Sequence, residues 1–108
     1  MKIKVSEATN TQLNWLVTMA IGEYKPTAVP NYTTDWSEAG PIIEREGITV
    51  VCWAMRPEPD WMARLWLELN GRASVAFRGS TPLIAAMRCY VSLVLGDEVD
   101  VPDELGSR

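Results

Sequence analysis

The chain has 108 residues, of which 47% are hydrophobic and 22% charged, a composition typical of one folded domain and not of a disordered chain. Its net charge of −4 is unevenly placed, because five acids fall within Asp97–Glu104, while acids and bases balance in the part before Asp97. The sequence has no concentrated basic patch, so nucleic-acid binding is not expected.

The sequence also bears on location. The opening residues, MKIKVSEATN, do not form a signal peptide, and no apolar stretch reaches the roughly 20 residues of a membrane span. We therefore expect a cytoplasmic protein with no membrane contact. Cys52 and Cys89 lie in apolar runs, which predicts that both are reduced core residues.

The first predicted helix begins near Thr9, with Thr9 or Asn10 available to cap it, and ends at Gly22. Trp15 and Met19 lie four residues apart on its opposite side, so they need a second partner, either in the chain or in another molecule. Before the helix, Lys2–Val5 alternates and is typical of a short edge strand. The apolar stripe that predicts the helix consists of Leu13, Leu16, Val17, Ala20 and Ile21.

The segment TTDWSEAGPIIEREG predicts two short helical pieces. Asp35 and Glu38 have the spacing of a capping box. Pro41 suits the first position of a new helix, and Gly40 lets the chain turn into it. A break is therefore predicted at Gly40–Pro41.

Strands follow. Residues Thr49 to Met55 are apolar on both faces, which is typical of a central strand covered on both sides. A second strand is predicted from Trp61 to Leu69, and the Asn70-Gly71 pair is a strong hairpin signal. That turn predicts a register in which Arg64 pairs with Phe77 on the third strand.

The last predicted helix is capped by Thr81, has Pro82 at its first position and ends at Gly96. After Gly96, the acidic stretch, interrupted by Pro102, is predicted to be extended and solvated. Apolar residues cover most of the helix and leave one narrow polar stripe, through Ala85, Arg88 and Ser92.

These elements predict an α+β fold. We expect a three-stranded antiparallel meander with helices on both faces, an α-β-α sandwich, in the order helix, short broken helix, three strands, helix. Residues 1–101 are predicted to form a single domain, and residues 102–108 an acidic, flexible C-terminal tail.

The chain contains no histidine, which excludes Ser–His and Cys–His catalysis and imidazole zinc sites. It also has no phosphate-binding glycine loop, so no cofactor or metal is expected. Glu44 and Glu46 flank Arg45 and are interpreted as solvated charges rather than as an acid–base pair. An enzyme that uses Asp35, Glu44 or Glu46 with a metal is the least favoured hypothesis.

One group of residues is a candidate small-ligand site. Asp35 and Trp36 combine a capping carboxylate with a large aromatic ring, and Tyr32 and Arg88 can add stacking and charge. The alternative is a capping residue beside a core tryptophan.

A second group is a candidate protein interface. The chain has five tryptophans, a high count, and tryptophan is enriched at binding hot spots. Trp15, Met19 and Trp61 are the candidates for this interface. The alternative for each is core filling.

Two segments, TTDWSEAGPIIEREGI (Thr33–Ile48) and TPLIAAMRCYVSLVLGDEVDVPDEL (Thr81–Leu105), resemble the NinX-like family of small proteins from tailed bacteriophages and prophages. The opening, MKIKVSEATNTQLNWLVTMAIG, is similar too, although Ala8-Thr9-Asn10-Thr11 stands where the family more usually has Leu-Thr-Gly-Ala. The Thr-Asp-Trp and late helix segments also resemble the phage α-β-α sandwich domain. The resemblance implies a phage origin and expression in the cytoplasm of the bacterial host, and it assigns no catalytic or binding residue.

Two functional hypotheses follow. The favoured one is a phage-encoded accessory protein without enzymatic activity that binds a host or phage protein. The alternative is a protein that binds or sequesters a small, nucleotide-like molecule. Both leave open whether the chain forms a homo-oligomer.

Overall fold

The computed structural model describes residues 1–22, 29–65 and 75–105. Its helices are α1 (Asn10–Ile21), α2 (Trp36–Glu46) and α3 (Pro82–Leu95), with short 3-10 turns at Val5–Glu7 and Asp103–Leu105. Its strands are β1 (Lys2–Lys4), β2 (Thr49–Ala54), β3 (Asp60–Leu65), β4 (Val75–Gly79) and β5 (Glu98–Asp100). The predicted α+β class is confirmed, since β2, β3 and β4 form an antiparallel sheet in chain order. Within the described ranges, no helix is long and apolar enough to span a bilayer.

The predicted boundaries of α1 and α3 are confirmed by their caps. Thr9 and Gln12 form a reciprocal capping box, with the Gln12 amide donating to Thr9 Oγ1 at 3.3 Å and the Thr9 amide donating to Gln12 Oε1 at 2.9 Å. Gly22 ends α1 in the left-handed conformation, at φ 88°. The amide of Ile84 donates to Thr81 Oγ1 at 3.2 Å, which caps α3.

Helix α2 differs from the prediction because it runs through Pro41 without a break. Proline removes one backbone hydrogen bond, and its ring crowds the preceding residue. Gly40 has no Cβ for that ring to meet. Ala39 and Ile42, one on each side of the glycine–proline pair, are both buried, so packing holds the two halves as one helix.

The observed register of β3 and β4 is one residue away from the predicted one. Phe77 pairs with Ala63, and Arg64 lies on the opposite sheet face from this pair. This register places Ala63 and Leu65 on the face toward α3, where both are buried. The Asn70-Gly71 turn on which the prediction relied lies outside the described residues.

Helix α3 packs across β2, β3 and β4, while α1 and α2 both pack on α3. The helix and the sheet are in close contact at Gly79, where a Cβ would lie only 2.7 Å from the Ala85 nitrogen. The largest fully buried side chains of this core are Leu13, Leu16, Met87, Val5, Val17, Val91 and Cys89.

Described residues on the other face of the sheet are partly open to solvent. Among the described residues of that face, Val51 and Met62 are half-exposed and Ala76 is exposed. Helices α1 and α2 make their main contacts with α3. An apolar pattern on both faces of β2 therefore did not require cover on both faces.

The acidic stretch after Gly96 is also different from the prediction of a solvated segment. Strand β5 pairs with β1, and Val99 and Val101 are buried while the acids between and beside them are exposed. The N-terminal ammonium group of Met1 donates to the Val101 carbonyl at 2.9 Å and lies 3.1 Å from Asp103 Oδ1. Alternation of apolar and acidic residues thus makes a strand here, because every second side chain faces the core.

Candidate functional site

An exposed apolar surface lies along β2 and the residue after it, a segment that we name the β2 edge (Thr49–Met55). Trp53 and Met55 have exposed fractions of 62% and 58%. In the described sheet β2 pairs with β3 alone, so its other side is an edge. The β2 edge contains no charged residue. Charges and prolines are the usual means by which proteins block an edge strand, so the β2 edge is open to pairing.

Trp53 lies at a bulge in the ladder between β2 and β3. Cys52 pairs with Trp61 and Ala54 pairs with Asp60, so Trp53 is an extra residue in the ladder. Bulges bend a strand locally and re-aim the side chain that they carry. Trp53 thus combines an irregular backbone position with a side chain that is 62% exposed.

A cleft of about 440 Å³ adjoins the β2 edge, and we name it the arginine cleft. It lies between the turn that joins β2 to β3 and the end of β4. Ala54 belongs to both the β2 edge and the cleft, so the two features form one continuous surface. The charged residues that line the cleft are Arg56, Glu58, Asp60, Arg78 and Arg88.

Arg78 and Asp60 form an ion pair in the wall of the arginine cleft. Arg78 Nε donates to Asp60 Oδ1 at 3.2 Å, and Arg78 Nη2 contacts Asp60 Oδ2. The hydrogen bond from the arginine holds the pKa of the Asp60 carboxyl below its usual value. These two charges therefore compensate each other.

Arg88 has a different environment. Its Nη1 donates to the Arg78 carbonyl at 2.9 Å, and its Nη2 donates to the Ala8 carbonyl at 3.0 Å. Its Nε is buried without a partner, and no carboxylate of the described residues lies within ion-pair distance. Burial lowers the pKa of the guanidinium. Arg88 thus lines the cleft with a positive charge that forms no ion pair with a described residue.

The residues of the predicted small-ligand site lie in separate environments. Asp35 caps α2, where its Oδ1 accepts from the Ser37 amide at 2.9 Å and the Ser37 hydroxyl at 2.6 Å. The hydroxyl contact is the main cause of the lowered pKa of Asp35. Trp36 is 56% exposed and Tyr32 is buried, while Arg88 contacts Ala8 and β4. Trp36 is therefore not a core tryptophan, and the ligand-binding role of this group stays a prediction.

The residues of the predicted protein interface are half-buried. Trp15 and Trp61 pack against the core, and Met19 is partly covered on α1. The more exposed large side chains are Trp53 and Met55, which the apolar pattern had assigned to a covered strand. A missing charge along a strand is the one sequence signal that could have drawn attention to them. The interface role of Trp15, Met19 and Trp61 stays a prediction.

Asn14 is a further residue that sequence reasoning missed. Its Oδ1 accepts from the Thr33 amide at 3.0 Å, and its Nδ2 donates to Asn31 Oδ1 at 3.0 Å. These bonds attach the loop before α2 to the middle of α1. Asn14 therefore positions the start of α2, including the exposed Trp36.

The paired carboxylates near the end of α2 are not assembled into a metal site. Arg45 Nε donates to Glu46 Oε2 at 3.0 Å, as expected for solvated charges. Within residues 1–22, 29–65 and 75–105, no three metal-ligating side chains form a group that could hold an ion.

The two cysteines differ from the prediction that both are core residues. Cys89 is fully buried in α3, whereas Cys52 is exposed on β2. Cys52 lies near the rim of the sheet, where α3 does not cover it. Burial raises the pKa of the Cys89 thiol to about 11.

We expect iodoacetamide at mildly alkaline pH to modify the native protein once, at Cys52. Cys89 reacts only in denaturant, because its thiol is inaccessible and remains protonated. Peptide mass spectrometry after timed alkylation measures this, with Cys52→Ser as the control that should take up no label. Equal rates at both cysteines in the native protein would contradict the described packing of α3.

Comparison with protein families gives a match whose residues include the β2 edge and the arginine cleft. The family model described as "Bacteriophage P22, NinX" matches residues 21–93, which include α2, the sheet, the arginine cleft and most of α3. Comparison with curated proteins gives no match. Because the family match extends over more than half of the 108 residues, the chain belongs to the bacteriophage NinX family.

Proposed function

We propose that this phage accessory protein is a non-enzymatic module that binds a host or phage protein through the β2 edge, in the cytoplasm of the bacterial host. The observation that carries the proposal is the exposure of Trp53 and Met55, at 62% and 58%, on an edge strand without charges. Exposed apolar side chains that lie together mark interaction surfaces more often than isolated ones do.

The β2 edge offers two kinds of contact to a partner. The unpaired side of the strand can accept an extended segment, with main-chain hydrogen bonds supplying affinity. The tryptophan and methionine side chains can enter a pocket of the partner, and a buried tryptophan is a frequent hot spot. The strand thus provides the register, and the side chains provide specificity.

The experiment is affinity capture from lysate of the phage-infected host, with wild-type protein and a Trp53→Lys variant. We expect wild-type protein to retain a stoichiometric partner and the variant to bind it at least roughly 30-fold more weakly, the typical effect of removing a hot spot. Titration of the purified partner by calorimetry measures the difference.

Trp36→Lys is the matched control, because Trp36 is similarly exposed, at 56%, but lies at the start of α2. It should bind the partner as wild type does. Recovery of no partner, or equal loss in both variants, would count against the β2 edge. Release of a bound nucleotide-like molecule from the purified protein would favour the small-ligand hypothesis instead.

A further inference from the structure

The charges of the described residues that line the arginine cleft do not balance. Three arginines and two acids line it, which leaves a formal charge of plus one in a protein whose net charge is −4. Asp60 is occupied by Arg78, and the side chain of Arg56 is exposed with no ion pair to a described residue. The unbalanced charge therefore belongs to Arg56 and Arg88, with Glu58 as their remaining acidic neighbour.

The position of Arg88 makes this imbalance informative. A guanidinium that is partly withdrawn from water is normally accompanied by a carboxylate. Arg88 instead donates to two backbone carbonyls, at 2.9 and 3.0 Å, which hold the side chain in place without neutralising it. An anion in the cleft would supply the missing charge, while the exposed Arg56 and the Ser80 hydroxyl offer donors.

We propose that the arginine cleft binds a carboxylate group, held by Arg56 and Ser80 beside the charge of Arg88. A single negative charge matches the formal charge of plus one. A phosphate carries nearly two charges at neutral pH, which exceeds this single positive charge, and Glu58 in the same wall would repel it more strongly than a carboxylate. Pro57 and Pro59 form an apolar part of the cleft wall, which can pack against the methylene groups that precede a carboxylate.

The cleft is open at the surface. Its carboxylate ligand could be a free organic acid or an acidic side chain of a protein, because both present the same carboxylate group. This inference concerns the cleft alone and does not require the β2 edge to be an interface. If the partner of the β2 edge is never found, the cleft can still be tested with small probes.

The probes are two blocked peptides, acetyl-Ala-Glu-Ala-amide and acetyl-Ala-Gln-Ala-amide, together with acetate and inorganic phosphate at matched ionic strength. Amide signals of Gly79 and Ser80 are followed by two-dimensional NMR during each titration. We expect the glutamate peptide and acetate to shift these signals, and the glutamine peptide to leave them unchanged. Acetate reports on a free acid and the peptide on an acidic side chain, so their relative affinities distinguish the two sources.

Variants test the assignment of charges. Arg56→Gln should weaken binding of the glutamate peptide roughly fivefold, as expected for one exposed charge contact, while Arg45→Gln, which changes an arginine on α2, should leave it unchanged. Asp60→Asn frees the charge of Arg78 and should tighten binding roughly threefold. Arg88 is not used here, because its loss would also remove two structural hydrogen bonds.

Four outcomes would overturn the inference. Equal shifts with the glutamine peptide would show that the carboxylate is not recognised. Tighter binding of phosphate than of acetate would assign the cleft to another class of anion. Equal weakening by Arg56→Gln and Arg45→Gln would show that the response reflects the overall charge of the protein rather than the cleft. No gain from Asp60→Asn would show that the charge balance of the cleft does not govern binding.

Discussion

Replacement of Gly79 by valine is expected to lower the free energy of unfolding by about 3 kcal/mol or more. A Cβ at this position would lie 2.7 Å from the backbone nitrogen of Ala85 and 2.8 Å from Cγ2 of Ile84. The Ile84 methyl can rotate away, but the backbone nitrogen cannot. Helix α3 would have to move off β4, and α3 is the element on which both the sheet and the other helices pack.

Urea unfolding followed by circular dichroism measures this loss. Gly79→Ala should reduce stability in the same direction but less, because it adds no γ-methyl groups. Ala76→Val is the matched control, since Ala76 is exposed on the same strand and valine is favoured in strands. An unfolding midpoint of Gly79→Val equal to that of wild type would mean that α3 and β4 are not in close contact.

The helix boundaries could be predicted because cap chemistry is local. Thr9, Gly22 and Thr81 act within a few residues of themselves, and the structure uses each as the sequence indicates. The sequence could not predict that α2 continues through Pro41. The local cost of proline is offset by burial of Ala39 and other side chains, which only the tertiary fold brings together.

The layering and the strand register depend on contacts between distant segments. An apolar run such as β2 has the same pattern whether it is central or at an edge, so the sequence could not show that Trp53 and Met55 are exposed. A shift of one residue in the register moves every side chain of a strand to the other face. The burial of Ala63 and Leu65 against α3 is consistent only with the observed register.

The polar stripe of α3 shows how the candidate site escaped prediction. Ala85, Arg88 and Ser92 form the narrow stripe that the large apolar residues of α3 leave open, and in the structure Ala85 and Ser92 are buried and Arg88 is half-buried. The first residues of the chain and the stretch after α3 cover this stripe, with Ser92 donating to Asp97 Oδ1 at 2.7 Å. Arg88 was selected from the sequence as a ligand-binding residue beside Asp35, and the structure places it in a different cleft. The sequence shows that Arg88 is charged, but it does not show which residues lie next to Arg88 in the fold.

Replacement of Arg88 by methionine is expected to cost about 2–4 kcal/mol of stability, because the carbonyls of Ala8 and Arg78 lose their donors in a partly buried setting. Methionine retains an unbranched apolar stem, so the packing of the side chain against α3 and β4 is largely preserved. The loss should therefore reflect the hydrogen bonds. Urea unfolding measures it, and hydrogen exchange should show faster exchange in the segments around Ala8 and β4 than in α2.

Arg88→Lys separates the hydrogen bonds from the charge. A lysine ammonium retains the positive charge but cannot match the fork with which the guanidinium reaches two carbonyls, so its cost should be about half that of methionine. A second effect acts in the opposite direction on stability. Burial of the Arg88 charge without a carboxylate partner costs free energy, and replacement by methionine removes that cost. If Arg88→Met were more stable than wild type, desolvation would outweigh the two hydrogen bonds. Arg88 would then be retained at a cost to stability, which would favour a role for its charge in the arginine cleft over a role in the fold.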